Sequence, residues 1–175
     1  MNRQDDTGLL REPFRARADS LVAAIQREGL PFRVFETLRS NARQAQLYAQ
    51  GRRWDQGAGL WSIVDKTKVV TWARPGASPH AWGLAMDCVL IPNHPWFEGE
   101  PQPTGPWDAG SEDRLAVRLA WQRYGRAAAA CELVWGGNWT EKQDLPHVEL
   151  PRWQALRPAR WRDIVAEALK AQETT

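Results

Sequence analysis

Two short segments gather the side chains best suited to chemistry: Ser78-Pro79-His80-Ala81-Trp82-Gly83-Leu84-Ala85-Met86-Asp87, and far downstream Asp144-Leu145-Pro146-His147. They hold two of the chain's three histidines. A catalytic zinc ion typically takes three ligands from His, Asp or Glu and keeps a fourth position open to water, and His80, Asp87 and His147 would make that set. Asp144 is then left over as a base. Zinc lowers the pKa of its water to about 7 and polarises a carbonyl, while a carboxylate passes the water's proton to a leaving amine. The implied chemistry is amide hydrolysis. The plainer alternatives are a satisfied buried polar pair for His80 and Asp87 and a solvated loop carboxylate for Asp144.

Spacing dictates how the chain must position these groups. Side chains an odd number of residues apart point to opposite faces of an unbroken strand, so His80 and Asp87 require a bend between them. Gly83 supplies the freedom to bend. Leu84 to Ile91 then reads as a buried strand with one carboxylate on an otherwise apolar segment, costly to bury unless paired or bound to a metal. Pro146 biases Leu145 toward an extended conformation and so sets Asp144 apart from a short strand, His147 to Leu150. Glu149 shares a strand face with His147, as a supporting hydrogen-bond partner or a rival base.

These residues, in this order, resemble the zinc D,D-peptidase and L-alanyl-D-glutamate endopeptidase family (the M15, VanY-like peptidases), which includes bacteriophage endolysins and vancomycin-resistance D-alanyl-D-alanine peptidases. The family pattern of Ser-x-His, Gly-x-Ala-x-Asp and an acidic residue three before a final His is met by Ser78, His80, Gly83, Ala85, Asp87, Asp144 and His147. Glu36-Thr37-Leu38-Arg39-Ser40 with the following Gln44, Leu47, Tyr48, Gln50 and Gly51 is similar to its Arg-Ser motif and helix. Trp135-Gly136-Gly137-Asn138-Trp139 resembles its Trp-Gly-Gly turn. The likeness spans about Phe32 to Leu150. Aspartate at position 144 resembles the endolysin branch, whereas Leu38 and Ala81 depart from residues common in the family.

The resemblance implies an α+β, Hedgehog/D,D-peptidase-like fold, with a small antiparallel sheet carrying the Zn2+ ligands and helices packed around it. It implies Arg39 as the oxyanion donor, a role suited to a permanently charged planar group. Ser78 would support the centre through a hydrogen bond, since zinc leaves it no His-Asp relay, and Trp135 would belong to the groove or its supports. The implied substrate is the peptidoglycan stem peptide, cut at L-alanyl-D-glutamate. The alternatives are D-alanyl-D-alanine carboxypeptidase activity and a non-catalytic zinc-stabilised wall-binding domain.

The rest of the chain agrees with one small catalytic domain. Its 175 residues suffice for a single core of about 8–151, and a formal net charge of +2 gives no nucleic-acid signal. Eleven tryptophans are scattered, which favours core and groove packing over a stacking platform. Cys88 and Cys131 are too few for a disulfide framework, and Cys88 should face away from the metal. The polar start, with no long apolar run after it, predicts neither signal peptide nor membrane span. A monomer made in the cytoplasm and released to the wall by a holin is the expectation that follows from the resemblance. Helices are expected over 9–28, 41–52 and 112–130, the last capped by Ser111, with strands over 33–38, 68–73, 84–91, 133–135 and 147–150. The five-proline connection 92–108 should rim the site. Around 158–172, Trp161, Ile164, Val165, Ala168 and Leu169 predict a basic amphipathic helix that packs on the domain or touches a membrane surface transiently.

Overall fold

The computed structural model describes residues 3–159 as an α+β fold. The expected helix over 158–172 falls, beyond its first residues, outside the described ones. A four-stranded antiparallel sheet is built from β1 (Phe32–Glu36), β4 (Ala85–Leu90), β6 (His147–Glu149) and β5 (Val134–Trp135), in that spatial order. Helices α1 (Phe14–Arg27) and α3 (Leu115–Ala130) cover one face. A third helix, α2 (Asn41–Ala49), lies beside the open face, and β2 (Arg52–Asp55) and β3 (Leu60–Ile63) form a separate hairpin.

Burial follows the two periodicities. Phe14, Ala18, Leu21 and Ile25 put one stripe of α1 inside, as a 3.6-residue repeat requires. Along β4, Met86, Cys88 and Leu90 join the core with Phe32, Trp121 and Tyr124, while the alternate residue Asp87 faces the other way. Phe32 stacks at 4.7 Å from Trp121 and 4.9 Å from Tyr124, centroid to centroid. Burying one such ring is worth roughly 1.5–3 kcal/mol, so this cluster is the anchor against which β4 is set.

The sheet register makes the site. Asp87 stands directly opposite His147 on β6 and opposite Glu36 on β1, so the three side chains form a row across one face. On the β1 side this depends on a bulge between Val34 and Glu36. Without that extra residue Phe35 would oppose Asp87 and Glu36 would turn to the other face.

Several boundaries differ from expectation. Helix α1 starts at Phe14, not Leu9, because Pro13 lacks an N–H and disfavours helix at Glu12. Helix α2 stops at Ala49, and Gly51 takes φ 72°, a turn only glycine adopts freely. Ser111 does not cap α3, which begins at Leu115; its hydroxyl bonds to the Asp113 carboxylate. The strand expected over 68–73 does not form. The carbonyls of Thr71 and Ala73 accept from the side chains of Arg52 and Gln44, at 2.9 and 2.7 Å, rather than from a neighbouring strand. Residues 56–59, with glycine at 57 and 59, are the turn of the β2–β3 hairpin, which pairs Trp54 with Trp61. Connection 92–108 buries Phe97 in the core, and only its Trp107 end reaches the open face.

Candidate active site

His80 sits on a single 3-10 turn, Pro79–Trp82, that ends where Gly83 adopts a left-handed conformation (φ 66°, ψ 33°) and turns the chain into β4. A Cβ on Gly83 would lie 3.3 Å from the Leu9 carbonyl and the Arg11 nitrogen, so the N-terminal segment also packs against this bend. The bend reverses the parity problem of an odd spacing and brings His80 to the face of Asp87 and His147.

His80 Nε2 lies 3.2 Å from Asp87 Oδ1 and 3.3 Å from His147 Nδ1, and His147 Nδ1 lies 3.0 Å from Asp87 Oδ1. Tetrahedral bonds of about 2.0–2.1 Å separate neighbouring ligand atoms by about 3.3 Å, so this near-equilateral triangle has the dimensions of one face of a zinc tetrahedron. Among the described residues it is the one group of three or more His, Cys, Asp or Glu side chains that could hold a metal.

The partners behind each ligand agree with that use. His80 Nδ1 donates to the Thr37 carbonyl at 2.7 Å, which leaves Nε2 as the free lone pair. His147 Nε2 faces Glu149 Oε2 at 3.2 Å, which leaves Nδ1. Asp87 Oδ2 accepts from Arg39 at 3.2 Å, which leaves Oδ1. All three remaining atoms converge on one point. Burial alone would raise the Asp87 carboxyl, but the facing His80 and His147 hold it well below the usual range. For His147 burial pulls down, yet the hydrogen bonds to Asp87 and Glu149 win and push it up to about 10.

Arg39 is almost wholly engaged. Its Nε and Nη2 donate to Glu36 at 2.9 and 2.6 Å, Nη1 to Gln44 at 2.9 Å, and Nη2 also to Asp87. Glu36 is 2 % exposed, so its charge needs these partners and that of Arg43. The guanidinium lines the groove, and its hydrogen bonds run to the carboxylate behind the centre. Glu36 and Gln44 as its holders were not singled out in the sequence. Their signal was weak: the motif around Arg39 contains them, but only the β1 bulge turns Glu36 inward.

Asp144 reaches the same groove on the loop before β6. Its side chain opens to solvent, yet the protein around it strips enough hydration to raise its carboxyl; His147 offsets part of this and Asp87 adds to it. The loop is pinned from several directions. Trp135 Nε1 donates to the Leu145 carbonyl at 2.7 Å, and Tyr124 Oη and the Cys88 nitrogen donate to the Pro146 carbonyl at 3.1 and 3.0 Å. Cys88 thus lies on the core side, facing Tyr124.

The Trp-Gly-Gly turn has a steric reason. A Cβ on Gly136 would stand 2.5 Å from the Asp144 carbonyl oxygen, and Cβ atoms on Gly137 or on Gly125 of α3 would each meet the Trp135 ring at 2.2 Å. Trp135 is therefore a support of the Asp144 loop, slotted between two glycines. Ser78 is buried beside the centre, but its hydroxyl makes no hydrogen bond among the described residues; its carbonyl accepts from Ala81 at 3.1 Å. His94 lies away from the site, where its Nδ1 accepts from the Trp96 nitrogen.

The site occupies the floor of a groove of about 1130 Å³. Its lining includes Val69–Ala73, Trp139, Lys142–Pro146 and Trp107. The trough is open enough for an extended chain, with the three converging atoms of His80, Asp87 and His147 and the Asp144 carboxylate in its lining.

His80, Asp87 and His147 form a cluster that could hold a metal ion beside the Asp144 carboxylate, and comparison with known proteins gives the class, a peptidase acting on peptidoglycan. Two family models, both described as D-alanyl-D-alanine carboxypeptidase, match the chain: VanY over residues 8–101, more than half of it, and the M15 peptidase model over residues 72–150. The chain belongs to this M15, VanY-like family. The peptidoglycan L-alanyl-D-glutamate endopeptidase CwlK of Bacillus subtilis (strain 168) is 29% identical over 136 residues, covering 78% of this chain and 70% of its own. Among solved structures, the Serratia marcescens L-Ala D-Glu endopeptidase ChiX is 24% identical, with a TM-score of 0.41 and 82% of each chain covered. The LdcB LD-carboxypeptidase is 18% identical, with a TM-score of 0.49, covering 94% of this chain and 75% of that one.

Proposed function

We propose that this protein is a zinc-dependent peptidase of the peptidoglycan stem peptide that hydrolyses the L-alanyl-D-glutamate bond as a phage endolysin. The observation that carries the reading is the joint geometry of the centre: three ligand atoms at tetrahedral spacing, with Asp144 free on the same groove. The likeness to CwlK supports the choice of bond.

His80 Nε2, Asp87 Oδ1 and His147 Nδ1 would hold the ion, which when bound supplies a Lewis acid and lowers the pKa of water. Asp144 takes the proton of the attacking water and delivers it to the leaving amine. Arg39 fixes Asp87 and turns positive charge toward the carbonyl oxygen as negative charge develops there. Glu149 holds the His147 ring in its working tautomer, and Thr37 does the same for His80. Action on the wall, with access granted by a separate holin, completes the reading; no helix among the described residues is long and apolar enough to cross a membrane.

The family description favours one second reading, removal of the terminal D-alanine by the same centre. Digestion of purified peptidoglycan by the zinc-loaded protein, with and without chelator, separates them by mass spectrometry. Chelator-sensitive release of new L-alanine carboxyl and D-glutamate amino ends is expected. Free D-alanine would replace this reading with the carboxypeptidase one, and intact walls would refute both.

A further inference from the structure

Three arginine and lysine side chains line the groove, and two of them are already matched. Arg39 is bound to Glu36 and Asp87, and Arg43 to Glu36. Lys142 is different. Among the described residues it has no carboxylate partner, and its ammonium lies over the Trp72 ring, 4.2 Å from the centroid. The two side chains come from different segments that line the groove: Lys142 from the loop that carries Asp144, Trp72 from the segment that Gln44 and Arg52 tie to α2 and the hairpin. Trp72 is 47% exposed and Lys142 is exposed as well, so this cation–π contact lies in water, where it is weak and readily exchanged.

On the anionic side, Glu36, Asp87 and Glu149 are each paired, and Asp144 is reserved as the base. The groove thus offers an incoming ligand one uncompensated cation, placed two residues from the base. A peptide whose cleaved bond is flanked by a free carboxylate would satisfy it. In the stem peptide that group is the α-carboxylate of D-glutamate, or the chain-terminal carboxylate if the terminal D-alanine is released.

We propose that Lys142, held on the Trp72 face in the groove lining, is the residue that recognises the substrate carboxylate beside the scissile bond. This rests on the stem-peptide reading above. The ammonium leaves its loose aromatic contact for a charge-assisted hydrogen bond, while the Trp72 ring keeps the stem of the lysine over the trough. Lys142 is a specificity residue and Trp72 the residue that positions it.

The test uses the zinc-loaded protein and two pairs of synthetic stem peptides. One pair has the D-glutamate α-carboxylate free or amidated, the other the terminal D-alanine carboxylate free or amidated. Wild-type protein should prefer the free acid of the pair it cleaves, by about tenfold in kcat/KM. Lys142→Gln should bring that preference close to one by raising KM, with kcat nearly unchanged; Lys142→Arg should restore most of it. Trp72→Ala should shift KM in the same direction by a smaller factor. Whichever pair shows the preference names the carboxylate. An acid-to-amide ratio unchanged in Lys142→Gln would overturn the proposal while leaving the peptidase reading intact. Absence of cleavage of all four peptides by wild-type protein would overturn both.

Discussion

The indole N–H of Trp135 donates to the Leu145 carbonyl at 2.7 Å, so a residue with no place in the chemistry holds the backbone next to Asp144. Trp135→Phe keeps a ring between Gly125 and Gly137 but leaves that carbonyl without its donor. A loss of about 1 kcal/mol in stability is expected from the missing hydrogen bond. The effect on turnover should be larger, a ten- to hundredfold fall in kcat, because a base displaced by about 1 Å costs on that order. Denaturant unfolding and steady-state kinetics on one preparation would check this; a kcat equal to wild type would remove Trp135 from the supports of Asp144.

Glu149 can be tested as a holder of His147 rather than a base. Neutralising it in Glu149→Gln should weaken zinc about 10- to 100-fold in a competitive chelator titration, while kcat at saturating zinc stays within a few-fold of wild type. A collapse of kcat with zinc fully bound would instead make Glu149 the base. The same contact predicts proton release. His147 is pushed up to about 10 by its carboxylate neighbours, so zinc at pH 7 must displace about one proton from it, measurable by titration calorimetry in buffers of different ionisation enthalpy.

Asp144 carries two pH predictions of linked sign. The hydration lost to the surrounding groove raises its carboxyl, so as a base it is lost as it takes up its proton on the acid side. Activity should therefore fall on the acid side as Asp144 takes up its proton, and Asp144→Asn should abolish turnover with zinc retained. For stability the folded protein holds this proton more tightly than the unfolded chain, so ionisation of Asp144 destabilises as pH rises through the folded pKa. Asp144→Asn should then raise the melting temperature of the zinc-free protein at neutral pH. A lower one would show that the carboxylate is well paired.

How much of this was legible depended on whether a residue's partner was local. The convergence of His80, Asp87 and His147 could be read because histidine is scarce in this chain and the odd spacing from His80 to Asp87 demanded a bend at Gly83. Strand β4 could be read because only a central strand tolerates so long an apolar run. The β2–β3 hairpin was missed although Trp54 and Trp61 flank a Gly-containing turn, a signal that was available. Glu36 could not be read. Its inward direction depends on a bulge at Phe35, and bulges have no dependable sequence mark. The non-formation of a strand over 68–73 was equally hidden, since it follows from side chains of Gln44 and Arg52 that reach those carbonyls from elsewhere.

The last prediction concerns the N-terminal segment, which holds His80 from behind. Thr37 is fully buried and hands its carbonyl to His80 Nδ1, while its own N–H donates to the Gln4 carbonyl at 2.7 Å and its hydroxyl to that of Asp6 at 3.0 Å. On the other flank the Arg11 nitrogen donates to the Gly83 carbonyl at 3.0 Å. The segment from Gln4 to Arg11 thus reaches both Thr37 behind His80 and the Gly83 end of the turn that carries His80. Thr37→Val removes only the hydroxyl contacts and keeps the volume, so it should cost about 1 kcal/mol in stability and weaken zinc by a factor of several. Deleting residues 1–11 should weaken zinc further, with the fold retained because α1 begins after the cut. Circular dichroism would verify the fold and chelator competition the affinity. Unchanged zinc binding in the deletion variant would show that the turn holds His80 without that segment.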